Sequence, residues 1–167
     1  MARLVLSCAL ALSLTGCSLF GGSTDDACGT GDVASGSLTA TAGGGSFSAV
    51  CVQGQFEQGV LAIGGNLGAE GADLQEQINV TVQGAQSGQT YTFGFSNPGL
   101  IAVYSALDPS NPTDASRVYT ANAVAGSGSV TVDAVSASGA RGSFSFTGVN
   151  NDGASVAVTS GRFDVEF

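Results

Sequence analysis

The chain has 167 residues, of which 43% are hydrophobic, too large a share for a disordered protein and enough for one packed domain. Thirteen acidic residues face four arginines, with no lysine and no histidine, so the surface has no basic stripe for nucleic acid. The composition also excludes catalysis that needs an imidazole or a lysine amine. Only a carboxylate pair of the glycosidase type stays open, and we expect no enzymatic activity and no cofactor.

The N-terminus carries Arg3 followed by an apolar run from Leu4 to Leu14. Such a run is too short to cross a bilayer and is typical of an export signal. It ends in Leu14-Thr15-Gly16-Cys17, which resembles the lipobox of bacterial lipoproteins. The resemblance implies that residues 1–16 are removed, that Cys17 receives a diacylglycerol and that the new N-terminus is acylated. Two or more acyl chains anchor a protein stably, whereas one does not.

The residue after the cysteine indicates which of the two membranes holds the anchor. Ser18 stands where an aspartate would favour retention in the inner membrane, so the resemblance implies an outer-membrane anchor, on the periplasmic or the cell-surface face. The alternative is an ordinary secretory signal with a cysteine near the cleavage site. Residues 17–35 show almost no apolar periodicity and are predicted to form a flexible tether.

The four cysteines divide among three roles. Cys8 lies in the signal and Cys17 is the lipidation site, which leaves Cys28 and Cys51 as a pair in an oxidising compartment. We predict a disulfide between these two, closing a loop of about 23 residues and stabilising the fold by about 3 kcal/mol. Two reduced thiols are the alternative, and two cysteines without histidine do not make a zinc site.

From Gly36 onward the apolar residues recur with a period of two. The segment 78–82 is an example, with Ile, Val and Val at every second position. Turn residues separate such segments, and Asn150-Asn151-Asp152-Gly153 is the strongest hairpin signal. About nine or ten short strands predict an antiparallel β-sandwich over residues 36–167, with a β-barrel as the alternative. Only Ala69 to Gln77 has any helical character, weakened by an internal glycine.

Two segments carry more specific predictions. Apolar side chains at alternate positions of 47–51 predict one strand with a buried face. Near the C-terminus, Val158 and Phe163 are out of phase, so an uninterrupted strand would turn one of them to solvent. One extra residue restores the phase, which predicts a bulge at Ser160-Gly161, with Gly161 taking the positive φ.

The C-terminal third contains three segments that carry a resemblance, Gly126-Ser-Gly-Ser-Val-Thr-Val132, Arg141-Gly-Ser-Phe-Ser-Phe-Thr147 and Val156-Ala-Val-Thr-Ser-Gly-Arg-Phe-Asp-Val165. They resemble the ending of a family of uncharacterised lipoproteins of Bacteroidetes-type bacteria, in which GSFSFT-like and TSGRFDV-like strands close the domain. Ser37 to Val50 resembles the family's opening hairpin. The resemblance implies a β-sandwich-like domain. It implies no catalytic or ligand residues, because the family has no assigned activity.

Two sets of side chains are candidates for ligand contact. The loop from Ser105 to Ser116 offers oxygen atoms from Asp108, Asn111 and Asp114, but it lacks the glycine and glutamate of an EF-hand loop. Solvated loop acids are the alternative, and we expect no metal ion. If a small ligand binds, we expect it at this loop, because loops carry binding groups on rigid β scaffolds.

The second set consists of the amphipathic rings of Tyr91, Tyr104 and Tyr119, which suit a sugar-binding face, with core packing as the alternative. We expect a membrane-anchored envelope lipoprotein with a non-enzymatic structural or protein-interaction role. A carbohydrate-binding surface module is the alternative. The expected partners are the membrane, through the lipid anchor, and an unidentified protein or glycan.

Overall fold

The computed structural model describes residues 34–68 and 75–167. Within these ranges the chain forms eleven antiparallel β-strands, one 3-10 turn (Ala115–Arg117) and no α-helix. The strands are β1 (Ser35–Ala42), β2 (Gly45–Ser48), β3 (Cys51–Glu57), β4 (Val60–Leu67), β5 (Gln75–Gln83), β6 (Gln89–Thr92), β7 (Leu100–Leu107), β8 (Val118–Ala121), β9 (Ser127–Ser136), β10 (Gly139–Val149) and β11 (Ser155–Glu166). The described part of the chain contains no helix able to span a membrane. The all-β antiparallel prediction is confirmed.

The strands form one curled sheet. Nine of them follow the order β2-β1-β11-β10-β8-β7-β5-β4-β3, and β9 and β6 branch from β10. Most of β10 pairs with β9, while its last residue, Val149, pairs with β8. The far edge returns to the first strand, because Ala34 bridges to Val52 and the Ala49 amide donates to the Leu38 carbonyl at 2.9 Å. Both the predicted sandwich and the barrel alternative fit this curl.

The core lies inside the curl and is built from alternate positions of the strands. Along β5, for example, Ile78, Val80 and Val82 are buried while the residues between them are half-exposed. Burial of such side chains is the main favourable term in folding. The largest fully buried side chains are Phe47, Leu38, Leu61, Ile78, Leu100, Val80, Val82, Val130, Val132, Val158 and Val165.

The predicted bulge is present in β11, one residue before the predicted pair Ser160-Gly161. Thr159 and Ser160 together lie opposite Ser145 of β10, because Val158 and Gly161 pair with the residues on either side of it. Both bulge residues are exposed whereas Val158 and Gly161 are buried, so the extra residue keeps both halves of the strand in phase. The predicted position of the positive φ was wrong. Ser160 has a φ of 54°, and Gly161 is not among the described residues with positive φ.

Gly161 is needed for packing instead. A Cβ at this position would collide with the ring and the carbonyl of Phe144, its partner on β10. One pair along, a Cβ on Gly142 would collide with the ring of Phe163, its partner on β11. Each aromatic ring therefore covers the backbone of an opposing glycine. This reciprocal packing explains why both closing strands contain Gly-x-Phe.

Replacing Ser160 by glycine is expected to raise the free energy of unfolding. A non-glycine residue at positive φ stores about 1–2 kcal/mol of strain, and glycine loses about 0.5–1 kcal/mol in chain entropy, which leaves a net gain of up to about 1.5 kcal/mol. Thr159→Gly is the matched control, because Thr159 has no positive φ, and it should lower stability. Urea denaturation of the mature chain measures both. Equal losses in the two variants would show that Ser160 is not strained.

Two local predictions were wrong. The single strand expected over 47–51 is divided between β2 and β3, because the chain bends at Ala49-Val50 and passes from β1 to β4. The Val50 amide donates to the Asn66 carbonyl at 2.8 Å in this bend. Gln75–Gln77, the end of the weakly helical segment, belongs to β5, and 69–74 lie outside the described residues.

Candidate functional site

The N-terminal sites lie outside the described residues. These include the signal, the lipidation site Cys17 and Cys28, so the anchor and the disulfide stay predictions. Cys51 is 5% exposed at the start of β3. The first strand begins at Ser35.

The loop between β7 and β8 holds the three candidate metal ligands. The Asp108 carboxylate accepts hydrogen bonds from the amide and hydroxyl of Ser110 at 2.8 and 2.7 Å. The Asp114 carboxylate accepts the same pair of bonds from Ser116 at 3.0 and 2.6 Å. The hydroxyl bonds and then the amide bonds lower the pKa of both carboxyl groups. The Asn111 amide donates to the Asp108 carbonyl at 2.9 Å.

These contacts are typical of turns closed by an aspartate side chain. Arg117 lies 3.6 Å from Asp114 and compensates part of the loop's negative charge. Within 34–68 and 75–167, no group of three or more histidine, cysteine or acidic side chains is placed to hold a metal ion. The carboxylates of Asp108 and Asp114 therefore stabilise the turns of their own loop.

The tyrosines are used in packing. Tyr104 is 6% exposed, and its ring centroid lies 6.2 Å from that of Tyr119, its partner on β8. The Tyr91 hydroxyl donates to the Gly84 carbonyl and accepts from the Gln86 amide, both at 2.9 Å. Tyr91 and Tyr119 are half-buried and pack against the core. The packing alternative therefore describes all three rings, and none is an open platform for a sugar.

Tyr104 should keep its proton to unusually high pH. Burial, then the charge and hydrogen bond of Glu76, raise the pKa of its hydroxyl from 10.0 to about 12. The neutral form stabilises the fold fully below pH 10, and we expect that contribution to be lost as the pH rises towards 12. Absorbance at 295 nm, clean in a chain without tryptophan, should show a late step that Tyr104→Phe abolishes and Tyr91→Phe retains. A late step that survives Tyr104→Phe would contradict the assignment.

A groove of about 280 Å³ lies at the bulge, on the outer face of β9, β10 and β11. It is lined by five hydroxyl side chains and a guanidinium, from Ser129, Thr131, Ser143, Ser145, Ser160 and Arg162. These groups meet because outward positions are in register, with Arg162 opposite Ser143 and Ser143 opposite Thr131. The Thr131 hydroxyl is also hydrogen-bonded to that of Thr90 on β6, at 2.9 Å.

The groove is the centre of a wider hydroxyl surface. One transverse row consists of Ser48, Thr39, Arg162, Ser143, Thr131 and Thr90. The next consists of Ser46, Thr41, Thr159, Ser145, Ser129 and Thr92. Side chains repeat about every 4.8 Å across such strands and about every 6.8 Å along them. Arg162 is the single charged residue in the two rows.

Arg162 is exposed and forms no ion pair with any residue of the described ranges. Asp164 lies two residues along the same strand, where it faces Arg141 of β10 in register. The groove therefore presents a guanidinium with unused donors on the surface of a protein with 13 acidic residues.

A second surface feature is apolar. Among the described residues, Phe95 and Val124 are the most exposed large hydrophobic side chains, at 82% and 76%. They lie in the β6–β7 and β8–β9 connections, which both run between the β6–β9 pair and the β7–β8 pair. We call Phe95, Val124 and exposed Ile101 of β7 the apolar patch. Residues 77–107 and 118–132 contain no charged side chain.

Hydrogen-bonded turns hold the apolar patch. The Asn97 side-chain amide donates to the Thr92 carbonyl at 2.9 Å. The Asn122 side-chain oxygen accepts from the amides of Val124 and Ala125 at 2.8 and 3.0 Å. The exposed side chains therefore sit on turns that need little ordering when a partner binds.

The family model described as "Domain of unknown function (DUF6252)" matches residues 34–165. The chain belongs to the DUF6252 family. The matched range begins one residue before β1 and ends one residue before the end of β11, so the DUF6252 domain coincides with the curled sheet. No curated protein and no solved structure matches the chain. Because DUF6252 has no assigned function, its function has to be argued from the groove and the apolar patch.

Sequence reasoning did not find the groove or the apolar patch. The outward positions of β9 and β10 are visibly serine and threonine, but Arg162 joins them only through strand register, which the sequence does not specify. Phe95 follows Tyr91 and Phe93 at alternate positions, a spacing typical of one buried strand face, but β6 ends at Thr92. The absence of charge from 77–107 and 118–132 was the signal that could have located the apolar patch.

Proposed function

We propose that this protein is an envelope lipoprotein, anchored to the outer membrane through Cys17, whose β domain has a non-enzymatic role in binding another protein. The anchor is supported by the Leu14-Thr15-Gly16-Cys17 motif and the apolar run before it. The motifs of the last two strands support a relation to Bacteroidetes-type lipoproteins. Their Gly-x-Phe pattern has a packing explanation, which supports a structural use of these residues.

One observation carries the protein-binding role, the apolar patch on a charge-free part of an acidic protein. Protein interfaces are depleted of charge at their centres and enriched in aromatic residues. Phe95, the most exposed of the three side chains, has the character of an anchor residue that a partner's pocket would bury. Its rigid turn lowers the entropy lost on binding.

Photocrosslinking in cells tests this role. Benzoylphenylalanine at position 95 or 124 should give one adduct of defined size, because both positions lie in the apolar patch. Val50, also exposed at 57% but on the β2–β3 connection, is the control position and should give none. Ser substitution of Val124 should weaken the adduct at 95. Adducts of equal yield at 50 and 95, or none at 95 and 124, would contradict the proposed role.

Carbohydrate binding is a second candidate function, favoured by the groove. Serine and threonine hydroxyls donate and accept hydrogen bonds as sugar hydroxyls do. The groove's volume of about 280 Å³ is near the lower end for small-ligand sites and suits a short saccharide. Glycan-array binding of the mature chain tests this candidate, and an array without signal would remove it.

A further inference from the structure

The groove at the β11 bulge has features that select among saccharides. It combines five hydroxyl groups with one guanidinium, and its outward side chains lie on paired strands. The guanidinium is an excellent partner for a carboxylate or sulfate, because its donors form two parallel hydrogen bonds to such a group. The hydroxyls suit the neutral part of the same ligand.

The charge distribution favours a ligand with few negative charges. Of the three arginines in the described residues, Arg117 is near Asp114 and Arg141 faces Asp164, which leaves Arg162 without an acidic partner in those ranges. The net negative charge of the protein repels extended polyanions, so nucleic acid and polyphosphate are disfavoured. One guanidinium matches one acidic group on a sugar.

The bulge shapes this site. Its extra residue turns both Thr159 and Ser160 outward, beside Arg162 on the same strand. Ser160 is held at a φ of 54°, where glycine would be less strained, yet a hydroxyl-bearing residue occupies the position. Strained backbone with a polar side chain in a groove is typical of a functional residue, which favours a binding role for the Ser160 hydroxyl.

We propose that the groove binds a saccharide carrying a carboxylate or sulfate group, with Arg162 holding the acidic group and the surrounding serine and threonine hydroxyls holding the sugar. This inference rests on the carbohydrate-binding candidate. It assigns the binding to a sheet face, not to the β7–β8 loop expected from the sequence.

The test uses the full mature chain in detergent and four probes by calorimetry. Maltotriose with one glucuronate supplies one carboxylate, maltotriose with one sulfate ester supplies one sulfate, maltotriose is the neutral saccharide and sodium sulfate is the free anion. One or both of the acidic saccharides should bind at least tenfold more tightly than maltotriose and sodium sulfate. Binding should weaken as salt rises, because salt screens the charge at the exposed Arg162.

Arg162→Gln should weaken binding of the acidic saccharide at least tenfold, since it removes charge-assisted hydrogen bonds. Arg141→Gln is the matched control, with the same charge change on the neighbouring strand outside the groove, and should change affinity less than threefold. The Ser145 side chain makes no hydrogen bond to another described side chain. Ser145→Ala should therefore weaken binding without loss of fold. Thermal denaturation verifies that each variant is folded.

Each other outcome overturns the inference in an identifiable way. Tight binding of maltotriose that Arg162→Gln leaves intact would retain the carbohydrate function and reject the acidic ligand. Sodium sulfate binding as tightly as the saccharides would mark a simple anion site. Equal loss in the Arg162 and Arg141 variants would place the ligand elsewhere, and no binding of any probe would reject both the inference and the carbohydrate function.

Discussion

Gly161→Ala is expected to lower the free energy of unfolding by about 2–3 kcal/mol, because the added methyl group has to enter space held by the Phe144 ring and carbonyl. Glycine-to-alanine changes in strands normally stabilise by about 0.5–1 kcal/mol, so the sign itself is informative. Gly45→Ala is the matched control. Its Cβ would meet its nearest neighbour, the Ala42 carbonyl oxygen, at 3.5 Å, an ordinary contact, and it should be neutral or stabilising.

A double-mutant cycle with Phe144→Ala identifies the cause of the loss. Removing the ring leaves a cavity and is itself destabilising by about 3–5 kcal/mol. In that background the methyl group of Gly161→Ala no longer meets the ring, so its cost should fall to half or less. Urea denaturation of the mature chain measures all four proteins. Additive losses would show that the ring and Gly161 do not interact.

Cys17→Ser is expected to abolish incorporation of labelled fatty acid and to move the protein out of the membrane fraction. In the proposed anchor the Cys17 thiol receives the diacylglycerol, which a serine hydroxyl cannot do, and no acyl chain would then hold the acidic domain to the membrane. The effect should be all-or-none. Metabolic labelling followed by fractionation measures it.

Cys8→Ser is the control for this change, since it alters a cysteine of the same signal segment and should leave labelling intact. Equal labelling of the wild type and Cys17→Ser would contradict the anchor. Loss of labelling with continued membrane association would show a second attachment in the domain, for which the apolar patch is the first region to test.

The sequence predicts most of the strands, but it does not predict which strands lie next to each other in the sheet. The period of two in segments such as 78–82 follows from the pleat and the buried face, both local properties, and β5 confirms it. The out-of-phase Val158 and Phe163 located the bulge for the same reason. The sequence did not predict the bend at Ala49-Val50, because the bend depends on pairing with β1 and β4, which β2 and β3 separate in the sequence.

The candidate sites also differ in whether they depend on local sequence or on the register between distant strands. Asp108 and Asp114 were noticed as oxygen donors, but their bonds to nearby serines are local turn chemistry that the Asp-x-Ser pattern already contains. The groove requires β9, β10 and β11 to be aligned to the residue, and a shift of one residue would turn Arg162 inward. Register at that accuracy comes from packing across the strands.

The pairing of β1 with β11 joins the two ends of the domain, with Ser35 opposite Glu166. A ribosome must therefore finish the last strand before the first one has its principal neighbour, and no N-terminal fragment can complete the sheet. The β9–β10 and β10–β11 hairpins have short connections and can form early in folding. Closing the β1–β11 seam, by contrast, costs the entropy of a very long loop. A chain with this topology cannot complete its sheet until its last strand has been made.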